Sequence, residues 1–247
     1  MIPDLPHFAP LALAAALAGL MRGFSGFGSA LLFVPLASLY VEPSKAVVLL
    51  FVIDGLMALP LLPRALRRCN WGEVVPLSVG AAVTVPIGAF FLVSVDPTAL
   101  RWALSGLALG AVAVLASGWR YHSHPGPVLS AVVGSTSGFL GGLASFYGPP
   151  IVIFWLGGQS SSATVRANII VYLAAMALVA GISFALYGIF EPATVKQALF
   201  LMPAYGVAMW LGARLFVRAS EDFFRRLAYL VIAGAVISSS PAFDRGE

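Results

Sequence analysis

The sequence predicts an all-α polytopic membrane protein, and three observations lead to this fold class. Of the 247 residues, 60% are hydrophobic and only 10% are charged, whereas soluble domains carry about 25% charged residues. Apolar blocks of roughly 20 residues, long enough to cross the hydrocarbon core of a bilayer, recur along the whole chain. These blocks are rich in Leu, Ala, Val and Gly without alternating polarity, which favours helices over a membrane barrel.

Two of the apolar blocks are too long for one simple helix. Residues 8–41 are interrupted at Arg22–Gly28, and residues 127–157 are interrupted at Gly138–Pro150. Both interruptions are rich in Gly or Pro, which break helices. Six ordinary spans complete the chain, at residues 44–62, 73–94, 98–118, 165–188, 194–213 and 223–240.

Local similarities between the two halves predict an internal duplication. Gly23-Phe24 precedes Pro35 by the same distance as Gly138-Phe139 precedes Pro150, and residues 85–88 resemble residues 209–212. The offset is 115 residues at the first landmark and 124 at the last. Duplicated halves are a common plan among transporters. We therefore predict a first transmembrane repeat at residues 1–120 and a second at residues 121–247, which together form one transport unit.

Charges in the loops orient these repeats. Basic clusters at residues 64–68, 120–124 and 214–226 mark cytoplasmic loops, whereas the loops at 95–97 and 188–192 carry only acids. All five loops can lie on the sides that their charges indicate only when each long stretch enters and leaves on the same side of the membrane. Each repeat is then a broken or re-entrant helical hairpin followed by three transmembrane helices, and the two repeats are inverted. If each long stretch were instead one bent span, the basic cluster at 214–226 would lie outside the cell, which the positive-inside rule disfavours.

Arg22 is the first candidate for chemistry. An arginine near the centre of a bilayer costs at least about 2.5–3.5 kcal/mol, so it normally faces protein or a water-filled cavity. Its guanidinium is suited to a two-oxygen clasp on a carboxylate, sulfonate or sulfite. The alternative is that the span begins late and Arg22 extends to the interface.

Glycine-rich runs are the second candidate. The runs at residues 23–29 and 135–142 predict turns, after which a restarting helix would point free N–H groups and its positive dipole end at an anion. Ordinary glycine packing between helices is the alternative. The predicted substrate-binding residues in and after these runs are Gly23, Ser25, Gly26, Gly28, Ser29, Ser137, Gly138, Gly141, Gly142, Ser145 and Tyr147.

Three further polar residues lie within spans. Arg166 and Asn168 lie one to two turns inside the span that opens after the N-capping serines 160–162, and both are predicted anion ligands; an interfacial charge is the alternative for Arg166. Asp54 lies well inside its own span. A membrane carboxylate there is a candidate for proton coupling or for pairing with an arginine, or a structural hydrogen-bonding group.

The sequence argues against several other classes of protein. It holds no metal-protease His pair, no phosphate-binding loop and no nucleophile elbow, and His7, His122 and His124 lie at ends or in loops. We therefore predict no catalytic residue, no metal and no cofactor. Cys69, as the one cysteine, excludes an internal disulfide. The net charge of +4 reflects membrane orientation and not nucleic-acid binding. The opening residues 1–8 predict no removable signal peptide.

The motifs together resemble the TauE/SafE sulfite exporter family. The resemblance rests on Arg22-Gly-Phe-Ser-Gly-Phe-Gly-Ser-Ala30, on Gly141-Gly-Leu-Ala-Ser-Phe-Tyr-Gly-Pro-Pro150 and on Val165-Arg-Ala-Asn168, and it extends from about Leu11 to about Ser238. It implies a protein of the bacterial inner membrane that moves sulfite, sulfoacetate or related sulfonates. The first glycine motif of the family is often denser in glycine than Ser29-Ala30-Leu31 is here.

The hypothesis from the sequence is a secondary transporter of small sulfur-containing oxyanions that works by alternating access. Arg22 and the two glycine runs would hold the anionic head, and Ser145, Tyr147, Arg166 and Asn168 would complete the pocket. Its partners would be the anion and the lipid bilayer, and Gly/Ala-rich faces permit a homodimer. The alternatives are a transporter of another small anion such as a carboxylate, and a scaffold or accessory subunit that transports nothing.

Overall fold

A computed structural model describes residues 5–117, 126–156 and 160–216, and throughout these ranges the regular structure is helical. The helices are α1 (Leu5–Ser25), α2 (Ser29–Ala37), α3 (Pro43–Ala58), α4 (Leu62–Leu66), α5 (Trp71–Ser94), α6 (Pro97–Ala116), α7 (Pro127–Ala144), α8 (Gly148–Leu156), α9 (Ser162–Leu186) and α10 (Pro192–Phe216). A single 3-10 turn, Leu59–Leu61, joins α3 to α4.

Five helical segments within the described ranges are long and apolar enough to cross a membrane. They are Pro43–Leu66, Trp71–Ser94, Pro97–Val114, Ala163–Leu186 and Pro192–Leu215. These segments confirm five of the six ordinary spans that the sequence predicts. The sixth, 223–240, lies outside the described residues. The all-helical, multi-pass architecture is therefore confirmed for the part of the chain that the structure describes.

Each long apolar stretch is broken into a longer helix and a helix of nine residues. α1 and α2 pack against each other, as do α7 and α8. Nine residues rise only about 13 Å, less than half of the roughly 30 Å hydrocarbon core. α2 and α8 are therefore too short to cross the hydrocarbon core by themselves.

The chain forms two compact units, and each contains segments from both predicted repeats. Among the described residues, unit 1 comprises 5–53, 95–116 and 191–216, and unit 2 comprises 54–94, 117, 126–156 and 160–190. Unit 1 therefore pairs α1 and α2 with α10, and unit 2 pairs α7 and α8 with α5.

In unit 1, α1 and α10 pack in direct backbone contact. A methyl group on Gly19 would overlap the carbonyl oxygen of Tyr205, and one on Gly23 would overlap that of Met209. Such glycines, four residues apart, let two helices approach closely in a membrane, where lipid supplies no hydrophobic drive between them. Gly23 therefore serves helix packing.

In unit 2, α5 and α7 pack in the same way. Gly134, Gly138 and Gly142 recur every fourth residue of α7 and lie against the backbone of α5. Hydrogen bonds cross the same interface: Thr84 Oγ1 donates to the carbonyl oxygen of Ser135 at 2.7 Å, and Ser135 Oγ donates to that of Gly80 at 3.2 Å. Close contact and hydrogen bonding together fix the register of α5 against α7.

The contacts in the two units match residue for residue. Adding 119 to the residue numbers of α1 and α2 gives their counterparts in α7 and α8, so that Ser29–Ala37 becomes Gly148–Leu156. Adding 124 takes α5 to α10. The equivalent pairs are Gly19–Tyr205 and Gly138–Ala81, Gly23–Met209 and Gly142–Val85, and Leu20–Gly212 and Phe139–Gly88.

This register corrects two expectations from the sequence. The sequence paired Gly23 with Gly138, whereas the matching contacts pair Gly23 with Gly142, one helical turn later. The prediction that residues 135–142 form a turn was also wrong, because they are helical within α7 and the break follows at residues 145–147. Glycines repeated every fourth residue make a shift of one turn invisible in a sequence comparison.

Replacing Gly134 with alanine should destabilise unit 2, because the new methyl group would overlap the carbonyl oxygen of Leu77. We expect the free energy of unfolding to fall by about 1–3 kcal/mol, measured by thermal unfolding in detergent. Gly106→Ala is the matched control, since a methyl group there meets open space. Equal stability of the two variants would contradict the close packing of α5 on α7.

Candidate functional site

The break between α1 and α2 depends on two glycines with left-handed backbone. Gly26 has φ 77° and Gly28 has φ 90°, a region that disfavours any side chain. Ser25 is the last residue of α1, and Ser29 is the buried first residue of α2. Gly28 is the N-cap of α2 and has no side chain that could cap the first-turn amides. The break therefore presents backbone donors and the positive dipole end of α2.

Arg22 places its guanidinium at this same break. It lies in the last turn of α1 and is half-buried, and its Nη1 donates a hydrogen bond to the carbonyl oxygen of Gly26 at 2.7 Å. This bond holds the charge beside the residues that lead into α2. Arg22, Gly26, Gly28 and Ser29, four of the predicted substrate-binding residues, thus lie at one break.

The break between α7 and α8 in unit 2 has matching backbone geometry. Ser145 has φ 59°, the one positive φ outside glycine among the described residues, and it is the counterpart of Gly26. Its N–H donates to the carbonyl oxygen of Gly141 at 2.8 Å, just as Gly26 donates to Arg22 at 2.9 Å. Gly141 therefore occupies in unit 2 the position that Arg22 occupies in unit 1.

Hydrogen bonds join the second break to a residue within α7. The buried Ser137 Oγ donates to the carbonyl oxygen of Tyr147 at 2.8 Å, and Tyr172 Oη donates to Ser137 Oγ at 2.8 Å. Ser137 lies seven residues before Ala144, the last residue of α7, which is about 10 Å along the helix. The chain therefore reverses direction between Ala144 and Tyr147.

Tyr147 fills the space beside Gly141. A side chain on Gly141 would overlap the tyrosine ring, so the ring lies in the direction that the side chain of Arg22 takes in unit 1. α8 then begins Gly148-Pro149-Pro150, and because proline has no N–H, two of its first three residues offer no backbone donor.

Asn168 and Arg166 lie on α9, in different surroundings. Asn168 is fully buried; its Nδ2 donates to Glu73 Oε2 at 2.9 Å, and its Oδ1 accepts from the N–H of Asn70 at 2.8 Å. Ser160 Oγ donates to Glu73 Oε1 at 2.7 Å. Arg166 is exposed. Both polar ends of the Asn168 amide are thus engaged in holding α9 to the start of α5, one turn from Tyr172.

The remaining predictions concern capping, Asp54 and metals. Ser161 caps α9 and accepts from the N–H of Thr164 at 3.2 Å, which confirms that a serine caps this helix. Asp54 is half-buried in α3 and is the first residue of unit 2. Within residues 5–117, 126–156 and 160–216, no group of three His, Cys, Asp or Glu side chains could hold a metal ion.

Sequence reasoning missed Glu73 and Tyr172 as site residues. Glu73 had a local signal, because Asn70 caps α5 and an acid three residues after an N-cap is typical of a capping box. Its bond to Asn168 joins residues 95 positions apart, and no local pattern marks such a pair. Tyr172 lies in an uninterrupted apolar run that gives no sign of its contacts.

The fold and the two breaks define a class of protein before any comparison: a multi-pass helical membrane protein with two broken helices, one of which carries an arginine. The family model described as sulfite exporter TauE/SafE matches residues 11–239, which is nearly the whole chain. The chain belongs to the TauE/SafE family, and membership implies a membrane exporter of sulfite or similar anions. No curated protein and no solved structure matches the chain.

Replacing Glu73 with alanine should destabilise the protein more than removing an exposed acid does. The variant would leave the buried Nδ2 of Asn168 without its acceptor, which costs about 1–3 kcal/mol. Glu191→Ala is the control, because this exposed acid loses a surface ion pair with Lys45 at 3.5 Å and a long hydrogen bond from Thr194 Oγ1, and exposed ion pairs are worth about 1 kcal/mol or less. Equal thermal unfolding temperatures for the two variants would show that the Glu73 network does not hold α9.

Proposed function

We propose that the protein is a secondary transporter of small sulfur-containing oxyanions, with sulfite and small sulfonates such as sulfoacetate as substrates. One observation carries the proposal: the Arg22 guanidinium is held at the break where α2 begins, through its 2.7 Å bond to Gly26. A fixed positive charge and the start of a helix lie at the same place. Membership in the TauE/SafE family supports this substrate class.

The chemistry of the break suits an oxyanion. A guanidinium presents paired N–H donors that can bind two oxygens of one anion, and the first-turn amides at Ser29–Leu32 have no side-chain cap from Gly28. A sulfite or sulfonate has three oxygens, so it can bind the guanidinium and the amides at once. A carboxylate has two oxygens, so comparing the affinity for a carboxylate with that for sulfite tests whether the third oxygen contributes to binding.

The other residues that the sequence predicts as ligands have different roles in this proposal. Gly138, Gly141 and Gly142 lie inside α7, where they contribute space and close packing. Ser145 forms the second break, and Asn168 positions α9. Arg166 contributes positive charge at an exposed position of α9.

Two inverted repeats, 1–120 and 121–247, are the architecture that we propose for this transporter. The matching glycine contacts support it, since duplicated halves explain constant offsets of 119 and 124 residues. α1 of the first repeat packs on α10 of the second, and α7 of the second packs on α5 of the first. This exchange would couple the repeats during the alternating access that we propose. We place the protein in the bacterial inner membrane, where its Gly/Ala-rich faces permit a homodimer.

Arg22→Ala should abolish anion binding while the protein stays folded. Purified protein would be tested by isothermal titration with sulfite, sulfoacetate and acetate, and we expect at least a hundredfold loss of sulfite affinity, because the charge that binds the anion is gone. Arg67→Ala, which removes an exposed arginine, is the matched control. Undiminished binding by Arg22→Ala would refute the site; preference for acetate would refute the substrate class; and no saturable ligand for the wild-type protein would favour the scaffold.

Asp54 is the proposed proton-coupling carboxylate, because it is the one acid within the apolar part of α3. We expect Asp54→Asn to bind sulfite with unchanged affinity and to lose uptake driven by a pH gradient in proteoliposomes. Exchange of labelled sulfite at equal pH on both sides should persist, because it needs no net proton movement. Gradient-driven uptake at the wild-type rate would exclude Asp54 from coupling.

A further inference from the structure

Two buried donors at the second break have no hydrogen-bond partner in the described part of the chain. They are Tyr147 Oη and Trp155 Nε1, on side chains that are 9% and 3% exposed. Leaving a buried donor unsatisfied costs about 1–3 kcal/mol, so such groups are rare and call for an explanation. Both belong to the broken helix: Tyr147 immediately precedes α8, and Trp155 lies near its end.

Both donors are held in place by the same ring. The Tyr147 and Trp155 rings pack edge-on to Tyr172, with ring centroids 6.5 Å and 6.0 Å away. Tyr172 is in turn fixed by its 2.8 Å bond to Ser137, which also holds the carbonyl oxygen of Tyr147. The donors are therefore part of a rigid aromatic cluster, defined as Tyr147, Trp155 and Tyr172, and not of mobile surface side chains.

The place of Tyr147 in the fold points to its role. Gly141 is the counterpart of Arg22, and the ring of Tyr147 covers Gly141. Unit 2 thus has a neutral hydroxyl donor where unit 1 has a guanidinium. The prolines that begin α8 also remove two backbone donors, so side chains must supply the hydrogen bonds that amides supply at α2.

The chemistry of the donors selects the ligand. An indole N–H can donate but not accept, and a phenol can donate its proton. A ligand that satisfies both donors must therefore accept hydrogen bonds and be small, which excludes ammonium groups and metal cations. We infer that Tyr147 and Trp155 form a second, neutral binding subsite for the oxyanion at the break in unit 2. This inference rests on the proposed function, because it assigns the same substrate class to the second break.

The test uses two substitutions that remove one donor each and keep the ring: Tyr147→Phe and Trp155→Phe. We expect each to weaken sulfite binding by about tenfold or more, as loss of a hydrogen bond to a charged group does, with the same or a higher unfolding temperature. Trp102→Phe is the matched control, because Trp102 is half exposed on α6. Binding would be measured by isothermal titration on the full-length protein in detergent.

A second measurement observes the subsite directly. In a variant that keeps Trp155 and replaces the other four tryptophans with phenylalanine, sulfite should change the indole emission with the midpoint found by titration, and chloride should not. Wild-type affinity in both donor variants, or emission that ignores sulfite, would overturn the inference and leave ordered water as the partner of these donors. Loss of binding in Arg22→Ala would still support the proposed function in that case, whereas absence of binding by the wild-type protein would refute both.

Discussion

Backbone contact between helices, made possible by glycine, is the constraint on which the rest of this structure depends. Helices in lipid gain little from burying apolar surface against each other, so van der Waals contact must hold them together. Gly19 and Gly23 allow it between α1 and α10, and Gly134, Gly138 and Gly142 allow it between α7 and α5. Each contact fixes the helix that leads into a break. The residues at the breaks, Gly26 and Ser145, therefore have defined positions although their backbone is irregular.

The two breaks share their backbone and differ in their donors. The same N–H bond closes the last turn of α1 and of α7, and both breaks open with a left-handed residue. The guanidinium of Arg22 lies beside the first break, whereas the phenol ring of Tyr147 lies over Gly141 beside the second. In the proposed transporter, unit 1 has a charged donor at its break, and unit 2 has neutral donors at its own.

The fold could be predicted from the sequence to the level of spans and breaks, because apolar length and the position of Gly and Pro are local signals. Arg22 could be placed at a break for the same reason. The register between the halves could not, since glycines every fourth residue permit an alignment one turn out of step, and the second break was placed too early along α7. The sequence did not predict the long-range contacts either. Nothing near Asn168 indicates that its amide binds Glu73, and nothing near Gly141 indicates that Tyr147 covers it.

The single guanidinium at the first break has an electrical consequence. When it binds a monovalent anion, the two charges cancel, and the loaded site carries no net charge from this pair through the membrane field. The empty site retains one positive charge, on which a potential of 100 mV acts with about 2.3 kcal/mol if the full field is crossed. For a monovalent substrate, membrane voltage therefore acts in the proposed cycle on the return of the unloaded protein, whereas the step that carries the substrate is nearly indifferent to it.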